Sequence, residues 1–96
     1  MMNYNDLREG LKRELNQNRF HEFMILEIVG KLMAARYRKQ ISQRELSRRT
    51  GIAQKTISRI ENGIDIPELS TIFKLSEALG LEISLVDKQT ENEKSA

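Results

Sequence analysis

Residues 43–63, Gln43-Arg-Glu-Leu-Ser-Arg-Arg-Thr-Gly51-Ile-Ala-Gln-Lys-Thr-Ile-Ser-Arg-Ile-Glu-Asn-Gly63, leave the chain little choice of fold. Ser42 and Glu45 have capping-box spacing at a helix start, and Ile41 and Leu46 can close the hydrophobic staple around it. Thr50-Gly51 ends that helix where a left-handed residue is wanted. Ile52, Ile57 and Ile60 then anchor a second short helix over residues 54–61. Leu46 faces inward, and Ser47 is small enough to let the two helices cross closely. Two short helices joined by so tight a turn must share one core, and the flanking segments must supply the rest of it.

Those flanks carry helical periodicity too. Leu7, Leu11 and Leu15 recur at i, i+4, i+8 between charges, which predicts an amphipathic helix over residues 3–17 with a narrow apolar stripe. Asn16-Gln17-Asn18 marks a break, and Phe20 and Phe23 follow. A second helix is predicted over 23–39, with Ile25, Ile28, Val29 and Leu32 on one stripe and Leu26, Met33 and Tyr37 on another. Asn62-Gly63 is a turn, and Pro67 sits just before or at the start of a fifth helix. That helix draws on Leu69, Ile72, Phe73, Leu75, Ala78 and Leu79, and Gly80 closes it. Residues 82–86 alternate at period two and predict a short strand, with Ile83 and Leu85 on one face. Residues 87–96 hold no apolar side chain except Ala96, the pattern of a disordered tail. There is no internal repeat.

At 96 residues the chain fits one small domain with tails, whose thin core gains from dimerisation. It has no cysteine, which excludes disulfides and thiolate metal sites and points to a reducing compartment. No apolar run approaches the roughly 18 residues of a membrane span, and no signal-peptide core opens the chain, so a cytoplasmic location is expected. Net charge is only +2, yet residues 36–59 carry eight basic side chains against one acid, Glu45. That block is +7 and leaves −5 for the rest, an asymmetry suited to a polyanion at one face. Enzyme chemistry finds no foothold. His21 is the only histidine, no nucleophile has a recognisable setting, and Gly10, Gly30, Gly51, Gly63 and Gly80 are too scattered to cradle a phosphate. No cofactor or metal is implied.

The open face of the helix at 54–61 presents Gln54, Lys55 and Arg59, the hydrogen-bonding set that a duplex major groove can receive. With the glycine turn and the isoleucine anchors, this stretch closely resembles the helix-turn-helix of the Cro/C1-type (XRE) repressor family, over residues 32–81. The resemblance implies an all-α, five-helix lambda-repressor-like domain (residues 23–81), here with an extra N-terminal helix (within 1–22) and the short C-terminal β-strand. It further implies that Gln54, Lys55 and Arg59 meet base edges, with Gln54 suited to adenine and Arg59 or Lys55 to guanine. Gln43 would touch phosphate and brace the recognition helix. Thr56, Ser58 and Asn62 look like phosphate contacts, and Arg44 and Lys39 are weaker candidates for that role. Arg36 and Glu61 match an Arg–Glu pair that ties the first core helix to the end of the recognition helix. Two positions depart from the pattern: Ala53 replaces the usual Ser or Thr cap, and Gln40 stands where Gly often ends the first core helix.

The amphipathic N-terminal helix and His21-Glu-Phe23 resemble the layout of HigA-group antitoxins of type II toxin–antitoxin systems. That likeness implies a RelE/HigB-like mRNA-cleaving toxin as partner, with Leu7, Leu11, Leu15, Phe20 and Phe23 as toxin-facing side chains. The same residues would otherwise pack on Leu26, Met33 and Tyr37. A lone strand leaves its backbone groups unpaired, so residues 82–86 are expected to pair across a two-fold axis in a homodimer, or with a toxin strand. The expected function is an antitoxin that neutralises its toxin and represses its own operon by binding operator DNA. A stand-alone phage-type or chromosomal repressor is the alternative.

Overall fold

Leu46, Ile57 and Leu79 are almost wholly withdrawn from solvent, and the fold is the arrangement of helices that brings them together. The computed structural model describes residues 3–14 and 17–88. Five helices run in order: α1 (Tyr4–Glu14), α2 (Gln17–Arg38), α3 (Gln43–Thr50), α4 (Gln54–Glu61) and α5 (Leu69–Ala78). Helices α2 to α5 enclose the core, with Leu32 and Ala35 from α2, Leu46 from α3, Ile57 from α4, and Ile72 and Leu75 from α5. Ile25, Ile52, Ala78 and Leu81 pack against its edge. These five include α1, so the helices that enclose the core number four, where a five-helix domain was expected.

Local signals set the start and the end of α3. Ser42 Oγ accepts from Glu45 N at 3.0 Å, the forward half of the expected capping box. The Glu45 carboxylate does not complete it, because Arg48 (2.5 Å) and Arg49 (2.8 Å) one turn on claim its oxygens. These hydrogen bonds hold the Glu45 carboxyl down to about 2. Gln40 leaves α2 with φ of 56°, so a side chain sits in the left-handed conformation that glycine takes more cheaply. Lys39 then donates its ammonium to the carbonyl of Leu79 and caps α5 from the far side of the chain.

Three expectations need correction. Helix α2 begins at Gln17 and runs through Phe20 and Phe23, where a shorter helix was expected. Ile28, placed by its spacing on one stripe with Val29 and Leu32, is exposed, because the buried face of α2 is centred on Val29, Leu32 and Ala35. The described residues hold no strand, and 81–88 have no regular structure. The physical reason is the one that made the segment conspicuous: a strand exists only through a ladder, and the chain alone offers none. Most of the tail, residues 89–96, lies outside the described residues.

Helix α1 buries none of its side chains and is held to α2 by contacts at its rim. Arg8 Nε donates to Glu27 Oε1 at 3.1 Å, and the Lys12 ammonium sits 5.8 Å from the centre of the Phe20 ring. Among the described residues no helix is long and apolar enough to cross a membrane.

Candidate nucleic-acid interface

Gly51 has φ of 76° and donates its N–H to Ser47 O at 2.9 Å, so the chain can leave α3 and turn at once into α4. Ser47 Oγ donates to Ile52 O at 2.6 Å, and Thr50 Oγ1 accepts from Ile52 N at 3.1 Å, which fixes the turn from both ends. Ile57 and Ile60 sink one side of α4 into the core. The opposite side leaves Gln54, Lys55, Thr56 and Arg59 exposed, with Ser58 half-buried between them. Asn62 follows at the C-terminal end, where its Nδ2 donates to Ser58 Oγ at 3.3 Å.

Ala53 occupies the N-cap of α4 and supplies no side-chain hydrogen bond, so the first N–H groups of this helix stay open. Ala53→Ser is expected to raise the unfolding free energy by about 1 kcal/mol. Thermal unfolding followed by circular dichroism should then show a midpoint roughly 4–8 °C higher.

A buried network braces the helix from behind. Arg36 Nε and Nη2 each donate to Glu61 at 2.7 Å, and Nη1 donates to Ile41 O at 3.0 Å. The two side chains are only 8% and 9% exposed. The bidentate hydrogen bond to Glu61 raises the Arg36 pKa beyond its already high ordinary value. Gln43 Nε2 donates to Glu61 Oε1 at 2.9 Å, so the N-terminus of α3 is tied to the C-terminus of α4 through one carboxylate.

The structure divides the basic block unevenly. Arg36 is committed to Glu61, Arg48 and Arg49 to Glu45, and Lys39 to the end of α5. Arg59 is held by Asp65, with Nε to Oδ2 at 2.8 Å and Nη2 to Oδ1 at 3.0 Å. This hydrogen-bonded pairing raises the pKa of Arg59 and holds the Asp65 carboxyl below its usual range. Among the described residues Arg38, Arg44 and Lys55 have no acid partner, so Arg44 and Lys55 are the uncommitted cations of the α3–α4 unit. Asp65 belongs to no motif in the sequence. Its only signal there was the return of the chain at Asn62-Gly63, which brings a carboxylate back beside α4.

The described residues expected to face a toxin differ in exposure. Leu7 is 50% exposed, and Leu11 and Phe23 are half-buried. Phe20 is buried instead, stacked on Phe23 with ring centres 6.1 Å apart and covered by Lys12 of α1. Leu15 lies outside the described residues.

Comparison with known proteins agrees with this architecture. A helix-turn-helix family model matches residues 32–86, from the middle of α2 to beyond α5. An uncharacterized HTH-type transcriptional regulator of Sinorhizobium fredii is 45% identical over 62 residues, which are 65% of this chain and 32% of that protein. The chain therefore spans about a third of that relative's length. A second such regulator, from Haemophilus influenzae, is 34% identical over 85 residues, 82% of this chain and 87% of that protein. Antitoxin HipB of Escherichia coli is 32% identical over 69 residues, 72% of this chain and 78% of that protein. No solved structure matches the chain. With the glycine turn, the two crossing helices and the family match all falling on the same residues, the chain belongs to the Cro/C1-type (XRE) helix-turn-helix family of transcriptional regulators.

Proposed function

We propose that this chain is a dimeric, sequence-specific repressor of its own operon that also serves as the antitoxin of a toxin encoded beside it. The observation that carries the DNA-reading part is the exposed row Gln54, Lys55 and Arg59 on a helix pinned by Ile57 and Ile60. Gln54, Lys55 and Arg59 take the base edges, while Gln43, Arg44, Thr56, Ser58 and Asn62 address phosphates; Lys39, a weaker candidate for that role, is instead spent on the carbonyl of Leu79. Repression follows from occupancy, with the bound dimer excluding polymerase from the promoter.

The dimer is built on α5 and residues 82–86. Leu69 and Phe73 leave an apolar face of α5 exposed, and Leu85 is wholly exposed. Residues 81–84 border an open groove of about 540 Å³ shared with Ile28 and Ala34 of α2. A second copy that paired its own 82–86 with this segment would satisfy the backbone groups and cover these side chains. Recognition helices in such a dimer lie about 34 Å apart, one turn of DNA.

Support for the antitoxin part comes from the likeness to antitoxin HipB and from α1, whose described residues include none that is fully buried. The HigA-like layout makes a RelE/HigB-like ribonuclease the proposed toxin, with Leu7, Leu11 and Phe23 as its contacts. Co-expression of the tagged chain with its neighbouring open reading frame tests this. A small basic protein retained at fixed ratio, identified by mass spectrometry, is the expected result. Recovery of the chain alone, in the presence of that product, would reduce the function to repression.

Arg59→Ala is expected to weaken binding to the operator by about 1–3 kcal/mol and to random duplex by less. Fluorescence-anisotropy titrations of both duplexes check this. Equal loss on the two would make Arg59 a phosphate contact.

A further inference from the structure

The segment that follows α4 folds back onto one residue of the recognition helix. Gly63, with φ of 73°, reverses the chain, and its N–H reaches Ile60 O at 3.0 Å. The next two N–H groups, of Ile64 and Asp65, both donate to Arg59 O, at 2.9 and 3.3 Å. The Asp65 carboxylate then takes the Arg59 guanidinium by its Nε/Nη2 edge. Arg59 is thus gripped by backbone and side chain of the same loop.

We infer that Asp65 is a positioning residue for sequence readout, holding Arg59 so that its outer Nη1/Nη2 edge is presented for a bidentate contact with guanine. The inference rests on the DNA-reading role proposed for α4. A guanidinium has more than one pair of parallel N–H groups, and the pairing seen here uses only the inner edge. The outer edge has no partner among the described residues and matches guanine O6 and N7. An unrestrained arginine carries considerable rotamer entropy and takes a phosphate as readily as a base. Fixing the side chain beforehand removes much of that cost and that ambiguity.

Charge supports the same assignment. A carboxylate beside an exposed face rich in hydrogen-bond donors repels phosphate, so it weakens non-specific binding. Arg44, assigned to phosphate, has no such acid partner among the described residues and stays free to attract the backbone of any duplex.

The test selects duplexes from a randomised library with the full-length wild-type chain, with Asp65→Ala and with the nearly isosteric Asp65→Asn. Affinities for the wild-type consensus and for random duplex are then measured across a salt series. For both variants the consensus-to-random ratio is expected to fall by about tenfold, the lower part of what one bidentate base contact commands. Preference for guanine should relax at one position per half-site, and the salt slope on random duplex should steepen by about one charge as Arg59 turns to phosphate. Unchanged base preference and ratio in both variants would overturn the role of Asp65 while leaving DNA reading intact. A parallel loss on both duplexes with a lowered melting midpoint would overturn it as well, by making Asp65 structural. Failure of the wild type to select any consensus would instead remove the DNA-reading proposal itself.

Discussion

Glu61→Ala is expected to cost about 3–5 kcal/mol of unfolding free energy, because it strands the Arg36 guanidinium in a site that is 8% exposed. For a small domain, that loss lowers the thermal midpoint by more than about 10 °C. The magnitude comes from the charge left behind, since the pair itself yields little net gain once both ions are desolvated. The double replacement Arg36→Met with Glu61→Leu is therefore expected to recover most of the loss. Urea unfolding of the three proteins checks this. A single variant within about 1 kcal/mol of wild type would mean that water reaches Arg36 and the network braces nothing. The double variant should also lose DNA affinity that its stability does not explain. Gln43 would no longer find Glu61 Oε1, and the start of α3 would be freed from the end of α4.

The second large effect is Ile57→Ala, expected to cost about 2–5 kcal/mol, with Ile57→Val limited to about 0.5–1.5 kcal/mol. Ile57 lies on the recognition helix at 1% exposure and belongs to the central cluster with Leu46, Ile72 and Leu75. Helix α4 has only eight residues, too few to be stable alone, so its position depends on this burial. The control is Ile28→Ala, expected to change the stability of the dilute, monomeric chain by less than about 1 kcal/mol because Ile28 is exposed in a single copy. Denaturant midpoints at unchanged slope would establish both values. Equal costs at the two positions would imply that Ile28 is covered in solution by a second chain, which a concentration-dependent midpoint would reveal.

Helices α3 and α4 could be placed closely from the chain alone, since their determinants lie within a turn or two of each helix. Ser42, Leu46, Gly51 and Ile57 each act over a few residues, through a cap, a staple, a left-handed turn and a 3.6-residue period. Arg36 and Glu61 were legible only through family resemblance, because residues 25 apart carry no local sign that they touch.

Other features were beyond the sequence. The spacing of Ile25, Ile28, Val29 and Leu32 fixes a stripe but not which margin of it faces inward, and α5 settles that by where it packs. Asp65 has the composition of any loop acid until Gly63 returns it to Arg59. Eight cations in one segment predict an attraction for polyanions, yet they cannot say which of them remain uncommitted. That depends on where Glu45, Glu61, Asp65 and the carbonyl of Leu79 come to rest. The sequence by itself determined helices α3 and α4, the Ser42 cap and the tight turn between them, because those are short-range preferences of the backbone. Only the tertiary structure decided which side chains those helices spend on one another and which they hold out to a partner, because a contact between distant residues exists only after the chain has packed.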